Sequence, residues 1–294
     1  MKKILITGGN GQLGRECADL FAKRFDVVSL SSKKLDITDP DSVITVFKSN
    51  RPDIVINCAA FTNVDMCETR RNQAWKVNAN GPGNLARAAK KISTKLVHIS
   101  TDYVFNGQKH VPDAYVESDE TGPVSWYGKT KLAGEQALTE TTGDYLIIRT
   151  AWLYSIHGGN FLKTMLRTAL KNPGKEIRVV NDQFGSMTWA YRLALQIERL
   201  IDKGVQGICH ASAEGYGTWY EVAGRFVRTM GVDSRFVPCD TKEYPTPAHR
   251  PRNSILENQK MKKESVCIME EWKKDVELFA NRFREQLLKE ATWP

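Results

Sequence analysis

Residues 3–14 constrain the fold more than any other stretch of the chain. Lys3-Ile4-Leu5-Ile6-Thr7 is a near-continuous apolar run, Gly8-Gly9-Asn10-Gly11 follows, and a helical pattern begins at Gln12. A strand that is apolar on both faces must be covered on both faces, which is the situation of a strand inside a parallel sheet. The pattern then repeats. Strands are expected at 26–30, 53–58, 95–100 and 145–150, separated by helical stretches at 12–24, 39–50, 71–91 and 125–141. Asp39 with Pro40 behind it is a good helix start. Repeated β-α-β units with right-handed crossovers give a Rossmann-type, doubly wound α/β fold that binds ligands at the carboxyl ends of its strands.

After residue 151 the alternation loosens. Helices are expected at 161–170, 188–201, 218–230 and 269–290, and strands at 177–180 and 207–211. The three prolines of 242–251 keep that segment largely non-helical. At 294 residues the chain suits about two packed units. The expected division is a dinucleotide-binding part, residues 1–150 with later segments near 175–203 and 236–252. The rest of 151–294 forms a smaller, interwoven C-terminal substrate domain.

Composition excludes several classes. No apolar stretch approaches the ~18 residues of a membrane span, and the N-terminal apolar run is too short for a signal peptide. The six cysteines are scattered without paired spacing, which suits a reduced, cytoplasmic protein. The net charge of +8 is compatible with DNA, a membrane surface or a phosphorylated metabolite. No zinc, helix-turn-helix or aromatic-ribbon signature supports nucleic acid, and no His/Cys cluster suggests a metal.

Three constellations carry chemistry. The spacing Gly8-x-x-Gly11-x-x-Gly14, between strand and helix, places a pyrophosphate on the helix start. An NAD-selective site has an acidic residue at the end of the second strand. Here Ser31-Ser32-Lys33-Lys34 stand instead, which favours NADPH with NADH tolerated; Asp36 and Ile37 follow, near the adenine. Tyr127 and Lys131 lie four residues apart, on one helix face. A phenol of pKa ~10 is a sluggish acid at neutral pH, and a neighbouring ammonium lowers that value. Thr101, at the end of the fourth strand in Ser100-Thr101-Asp102-Tyr103, is placed to bind a substrate oxygen and tune Tyr127.

These residues resemble the extended short-chain dehydrogenase/reductases, and among them the dTDP-4-dehydrorhamnose reductases. The likeness is carried by residues 4–14, Asn57-Cys58-Ala59-Ala60-Phe61-Thr62, Val77-Asn78-Ala79-Asn80-Gly81, residues 100–107, 127–131 and 149–154. Asn160-Phe161, residues 181–186 and Arg250-Pro251-Arg252-Asn253-Ser254 extend it through nearly the whole chain. The resemblance implies NAD(P)H-dependent reduction of the C4 ketone of dTDP-4-dehydro-β-L-rhamnose. Tyr127 would donate the proton, Lys131 hold the nicotinamide ribose and Thr101 tune the phenol. Gly8, Asn10, Gly11, Gln12, Leu13, Gly14, Ser31, Asp36 and Ile37 would bind the cofactor, and Ala59, Ala60, Phe61 and Thr62 line its channel. Thr101, Asp102, Tyr103 and Trp152 would meet the sugar, and Asn160, Phe184 and Arg250 the nucleotide part. The implied partner is a dTDP-sugar, with the chain a monomer or homodimer. The pattern departs from the family at Met187, where a proline is usual, and at Arg192, where a metal-ligating glutamate stands in some dimers; no metal is expected. Two alternatives share the scaffold: another sugar-nucleotide 4-ketoreductase or epimerase, and a dinucleotide-binding regulatory subunit resembling that of methionine adenosyltransferase.

Overall fold

A computed structural model describes residues 1–292. The first half runs β1 (Lys3–Thr7), α1 (Gln12–Phe21), β2 (Asp26–Leu30), α2 (Pro40–Asn50) and β3 (Ile54–Asn57). It continues with α3 (Val64–Thr69), α4 (Arg71–Trp75), a π-helical turn at Lys76–Asn80, α5 (Gly81–Lys91), β4 (Lys95–Thr101), α6 (Trp126–Thr139) and β5 (Tyr145–Thr150). The second half holds α7 (Phe161–Lys171), β6 (Glu176–Val180), β7 (Phe184–Gly185), α8 (Ala190–Asp202), β8 (Gly207–His210) and β9 (Gly217–Thr218). It ends with α9 (Trp219–Thr229), β10 (Arg235–Cys239), α10 (Gln259–Lys263), α11 (Trp272–Arg282) and α12 (Arg284–Thr292).

Six strands form one parallel sheet in the order β2-β1-β3-β4-β5-β8. The order reverses beside β1, which opens a crevice above the carboxyl ends of β1 and β3. Side chains alternate between the two faces of each strand. Ile4, Ile6, Ile54, Ile56 and Leu146 point into one buried cluster with α1 and α8. Leu5, Val55, Leu96 and Ile147 point into another, covered by α2, α5 and Leu138 of α6. Both faces are thus dry, as the continuous apolar runs require.

The expected division of the chain meets a more interleaved arrangement. α8 packs on α1 and β8 closes the main sheet, although both follow residue 151. β6 and β10 pair with each other in a separate two-stranded sheet, and Ile177, Val179 and Phe236 join a cluster built from α7, α9 and α11. The segments near 175–180 and 236–239 therefore sit with the second lobe. Two helices expected as continuous are broken. The stretch 71–91 passes through the π-helical turn, and 269–290 divides at Phe283, whose φ of −115° leaves the helical region. The break turns Phe283 onto Phe279, 5.3 Å between ring centres. Among the described residues no helix is long and apolar enough to cross a membrane.

Phe279 anchors the second lobe. Its ring is fully buried and lies 5.0 Å from Tyr154, 5.7 Å from Trp189 and 6.3 Å from Phe226. Replacing it with alanine removes one ring from four aromatic contacts and leaves a cavity. Phe279→Ala is expected to cost about 3–5 kcal/mol in urea denaturation; a loss below about 1 kcal/mol would mean that the lobe does not depend on this cluster.

Candidate active site

A cleft of about 770 Å³ runs over the carboxyl ends of the central strands. Its floor begins at the glycine loop. Gly8 adopts φ +66°, and a Cβ there would stand 2.6 Å from the Ala59 amide nitrogen, so only glycine lets β1 turn beneath the segment that follows β3. Gly11 N–H donates to the Gly8 carbonyl at 2.9 Å, which closes the turn. α1 then starts with no side-chain cap. Its first amides are free to meet an anion, and the helix dipole adds partial positive charge there. This uncapped start, opening into the cleft, fits the pyrophosphate of a dinucleotide.

All the residues expected to bind the cofactor line this cleft. Gly8, Asn10, Gly11, Gln12, Leu13 and Gly14 form one end. Ser31, Asp36 and Ile37 stand beside the end of β2, and Ala59, Ala60, Phe61 and Thr62 beyond β3. Ser32 lines it too, whereas Lys33 and Lys34 are exposed and lie outside the lining. Phe61 is held by Asn78 on the π-helical turn: its amide donates to Asn78 Oδ1 at 2.8 Å, and Asn78 Nδ2 donates back to its carbonyl at 3.1 Å. The widened turn thus presents an amide to a loop, a use typical of π-helical insertions.

The groups expected to react come from β4, the turn after it, and α6. Ser125 caps α6, accepting from Gly128 N–H at 3.1 Å. Gly128 packs against the Tyr103 carbonyl so closely that any larger residue would push the helix away. Tyr127 and Lys131 consequently face the cleft with Thr101, Asp102 and Tyr103. Tyr103 and Tyr127 meet edge-to-face at 5.6 Å. Against the lowering expected from Lys131, burial pushes the Tyr127 phenol above its ordinary pKa; the Thr101 hydroxyl opposes the shift and the Asp102 carboxylate adds to it. Lys131 Nζ donates to the Ile99 carbonyl at 2.6 Å, and burial lowers its pKa to about 8 although Glu135 pulls it up. Thr101 Oγ1 donates to Asp102 Oδ1 at 2.9 Å.

The opposite wall belongs to the second lobe. Trp152 and Trp219 stack at 3.6 Å with 9° between their planes, and both line the cleft. Trp152 has φ +45°, a strained value for so bulky a residue. Three expected nucleotide contacts lie outside the cleft lining. Asn160 caps α7, donating to the Ser155 carbonyl at 2.7 Å and reaching Gln12 at 3.3 Å. Phe184 pairs through its backbone with Thr218 in the β7–β9 ladder. Arg250 bonds Asp65 at 2.8 Å and Thr246. Asn181, Asp182 and Gln183 knit the lobe internally, to Thr218, Thr241 and Trp219. Glu16 accepts from Ser155 at 2.7 Å, and Arg192 pairs with buried Asp275 at 2.9 Å.

A family model described as the RmlD substrate binding domain matches residues 1–285. The chain belongs to this family. The RmlD-type sequence is 39% identical, over 92% of this chain and 95% of the other, to a dTDP-4-dehydrorhamnose reductase of Burkholderia thailandensis. The RmlD-type fold is similar to a dTDP-4-dehydrorhamnose reductase from Clostridium acetobutylicum, with a TM-score of 0.93 and 41% identity over 96% of this chain and 99% of that one. It is similar also to one from Bacillus anthracis in complex with NADP, at a TM-score of 0.92 and 38% identity over 96% and 100% of the two chains.

Sequence reasoning missed Trp219, which starts a helix and reads as an ordinary buried aromatic. It also missed Thr7, Asn57 and His98, the polar residues of otherwise apolar strands. That interruption of the strand pattern was the available signal.

Asp102 carries a measurable cost within this RmlD-type site. Burial raises its pKa from 3.8 to about 6, against hydrogen bonds from Ser254 and Thr101. The folded chain therefore binds a proton more readily than the unfolded one between pH about 4 and 6. Stability falls as pH rises through that window, by on the order of 3 kcal/mol. Asp102→Asn, neutral at every pH, is expected to stabilise the fold at pH 7, with the gain vanishing near pH 4. Chemical denaturation at the two values checks this; equal effects at both would contradict it.

Proposed function

We propose that the chain reduces the C4 ketone of dTDP-4-dehydro-β-L-rhamnose to dTDP-β-L-rhamnose with NADPH, NADH being tolerated. The observation that carries the reading is the meeting, in one cleft, of Tyr127, Lys131 and Thr101 with the uncapped start of α1. The names of the similar proteins, one of them holding NADP, support the same chemistry.

The amides of Gln12 and Leu13, with the α1 dipole, bind the cofactor pyrophosphate. Ser31 and Ser32 offer hydroxyls directly after β2, where an NAD-selective site would carry its acidic residue; the first carboxylate in this lining is Asp36. When bound, NADPH supplies the hydride that the carbonyl carbon receives. Tyr127 holds the proton for the ketone oxygen. Its raised pKa keeps the phenol protonated through the neutral range, the form that reduction needs. Lys131, fixed by the Ile99 carbonyl on the helix that carries Tyr127, would hold the nicotinamide ribose. Thr101 orients the substrate oxygen beside Tyr127, and the Trp152–Trp219 wall excludes water from the sugar. A sugar-nucleotide dehydratase on the same scaffold would need a further carboxylate after Asp102; here that position is Tyr103.

In this reading the dinucleotide is held by the six-stranded sheet and the dTDP-sugar by the second lobe. Asn160, Phe184 and Arg250 approach the nucleotide only if their present partners yield. A cytoplasmic location, where NADPH is available, goes with the reading.

The purified chain should oxidise NADPH only when the 4-keto sugar nucleotide is added. Tyr127→Phe should lower kcat by ~100–10,000-fold, the usual worth of a positioned proton donor, with binding of NADPH preserved. Absence of NADPH consumption with that ketone, or full activity in Tyr127→Phe, would overturn the assignment.

A further inference from the structure

One register row of the sheet is polar. Thr7, Asn57 and His98 are neighbours across β1, β3 and β4, all of them buried, on the face that α6 covers. Thr7 Oγ1 donates to Asn57 Oδ1 at 2.6 Å, and the Ala59 amide donates to the same oxygen at 3.2 Å. Those two donors fix the Asn57 amide, because the Ala59 N–H can only donate. Asn57 Nδ2 must then donate to His98 Nδ1, 2.9 Å away. A neutral imidazole whose Nδ1 accepts carries its proton on Nε2. That nitrogen stands 3.4 Å from Lys131 Nζ.

The row contains one proton too many when Lys131 is charged. An ammonium has three N–H donors and no acceptor, so it faces the Nε2–H of His98 donor to donor. A neutral amine instead keeps a donor for the Ile99 carbonyl and offers its lone pair to His98. Flipping His98 would move the conflict to Asn57, and flipping Asn57 would move it to the Ala59 amide. A protonated imidazole conflicts at both ends, in line with the lowering of the His98 pKa well below its ordinary value by burial and by Lys131.

We propose that Thr7, Asn57 and His98 form a positioning chain that fixes the Nε2–H tautomer of His98 and turns it on Lys131, so that this amine exchanges its proton at neutral pH instead of remaining a locked ammonium. The other titratable groups facing Lys131 are Glu135 and Tyr127 on its own helix and Cys58 after β3. Glu135 and Cys58 favour the charged form. Much of the Glu135 charge is engaged by Arg149, at 2.7 Å, so burial opposes the ammonium, and the Nε2–H of His98 faces it as a second donor. The inference deepens the proposed reductase reading: each turnover removes a proton from Tyr127, and Lys131, lining the same cleft, can pass one back through cleft water and regain its own from that water.

Nitrogen-15 NMR of histidine-labelled free protein tests the tautomer without any substitution. His98 should show an accepting, pyridine-type Nδ1 and a protonated Nε2 that persist as pH falls through the range where exposed histidines titrate. The protonation midpoint of Lys131, followed by carbon-13 lysine NMR and assigned with Lys131→Met, should lie near 8. In His98→Gln, whose side-chain oxygen can accept from the amine, that midpoint should rise by roughly one unit or more, and the alkaline limb of the kcat profile should rise with it while KM holds. Thr7→Val, a milder change, should move both in the same direction by less. A protonated Nδ1 in the free protein, or a Lys131 midpoint unmoved in both variants, would overturn the proposal. The NMR readouts use the free chain, so they stand or fall separately from reduction of the ketone.

Discussion

The bond from Lys131 Nζ to the Ile99 carbonyl is the contact on which the site depends. It joins α6 to the carboxyl end of β4, beside the cleft into which the proposed proton donor Tyr127 faces. Without it, α6 would still be held by Leu138, by Thr130 bonded to Asn78 and by Glu135 paired with Arg149 of β5, but its Lys131 side chain would lose its tie to β4. Two steric conditions support it. Gly128 lets the helix approach the Tyr103 carbonyl, and Ser125 ends the helix where the cleft begins. Burying an amine there is costly, and the fold meets that cost with a carbonyl, a distant carboxylate and a neutral imidazole.

The second lobe completes the cleft from segments that are far apart in sequence. Trp152 follows β5, and Trp219 begins α9. Their stack brings the end of the main sheet against the lobe organised around Phe279. Gly185 lies flat against the Trp152 ring, where a Cβ would approach Cε2 to 2.5 Å. The strained φ of Trp152 is therefore held from three sides, by Trp219, by Gly185 and by the Thr188 amide that donates to its carbonyl at 3.2 Å. Strain maintained in this way at a cleft wall fixes the shape of what the cleft can accept.

The layers of the sheet and the glycine loop were legible in the sequence because each is local. Strands β1, β2 and β5 have the bounds that their apolar runs imply, and the parallel order follows from the helices between them. Interruptions were less legible. The π-helical turn at Lys76–Asn80 arises from Asn78 reaching Phe61, a tertiary contact. The break at Phe283 arises from the aromatic cluster beneath it. Tyr127, Lys131 and Thr101 stood out because their types and spacings suit the chemistry, and the folded chain brings them to one cleft. Asn160 and Arg250 have chemistry suited to a nucleotide, yet the folded chain engages them in a helix cap and an ion pair with Asp65. Thr7, Asn57 and His98 are separated by tens of residues and become one row only through sheet register.

The central claim is that one cleft holds the dinucleotide and the 4-keto sugar nucleotide with Tyr127 against the sugar oxygen. A crystal structure of the chain with NADP and dTDP-β-L-rhamnose tests it most directly. The account predicts the pyrophosphate of NADP at the start of α1, and the sugar C4 oxygen within hydrogen-bond distance of both Tyr127 Oη and Thr101 Oγ1. A sugar bound with C4 turned away from Tyr127, or outside the wall formed by Trp152 and Trp219, would contradict it.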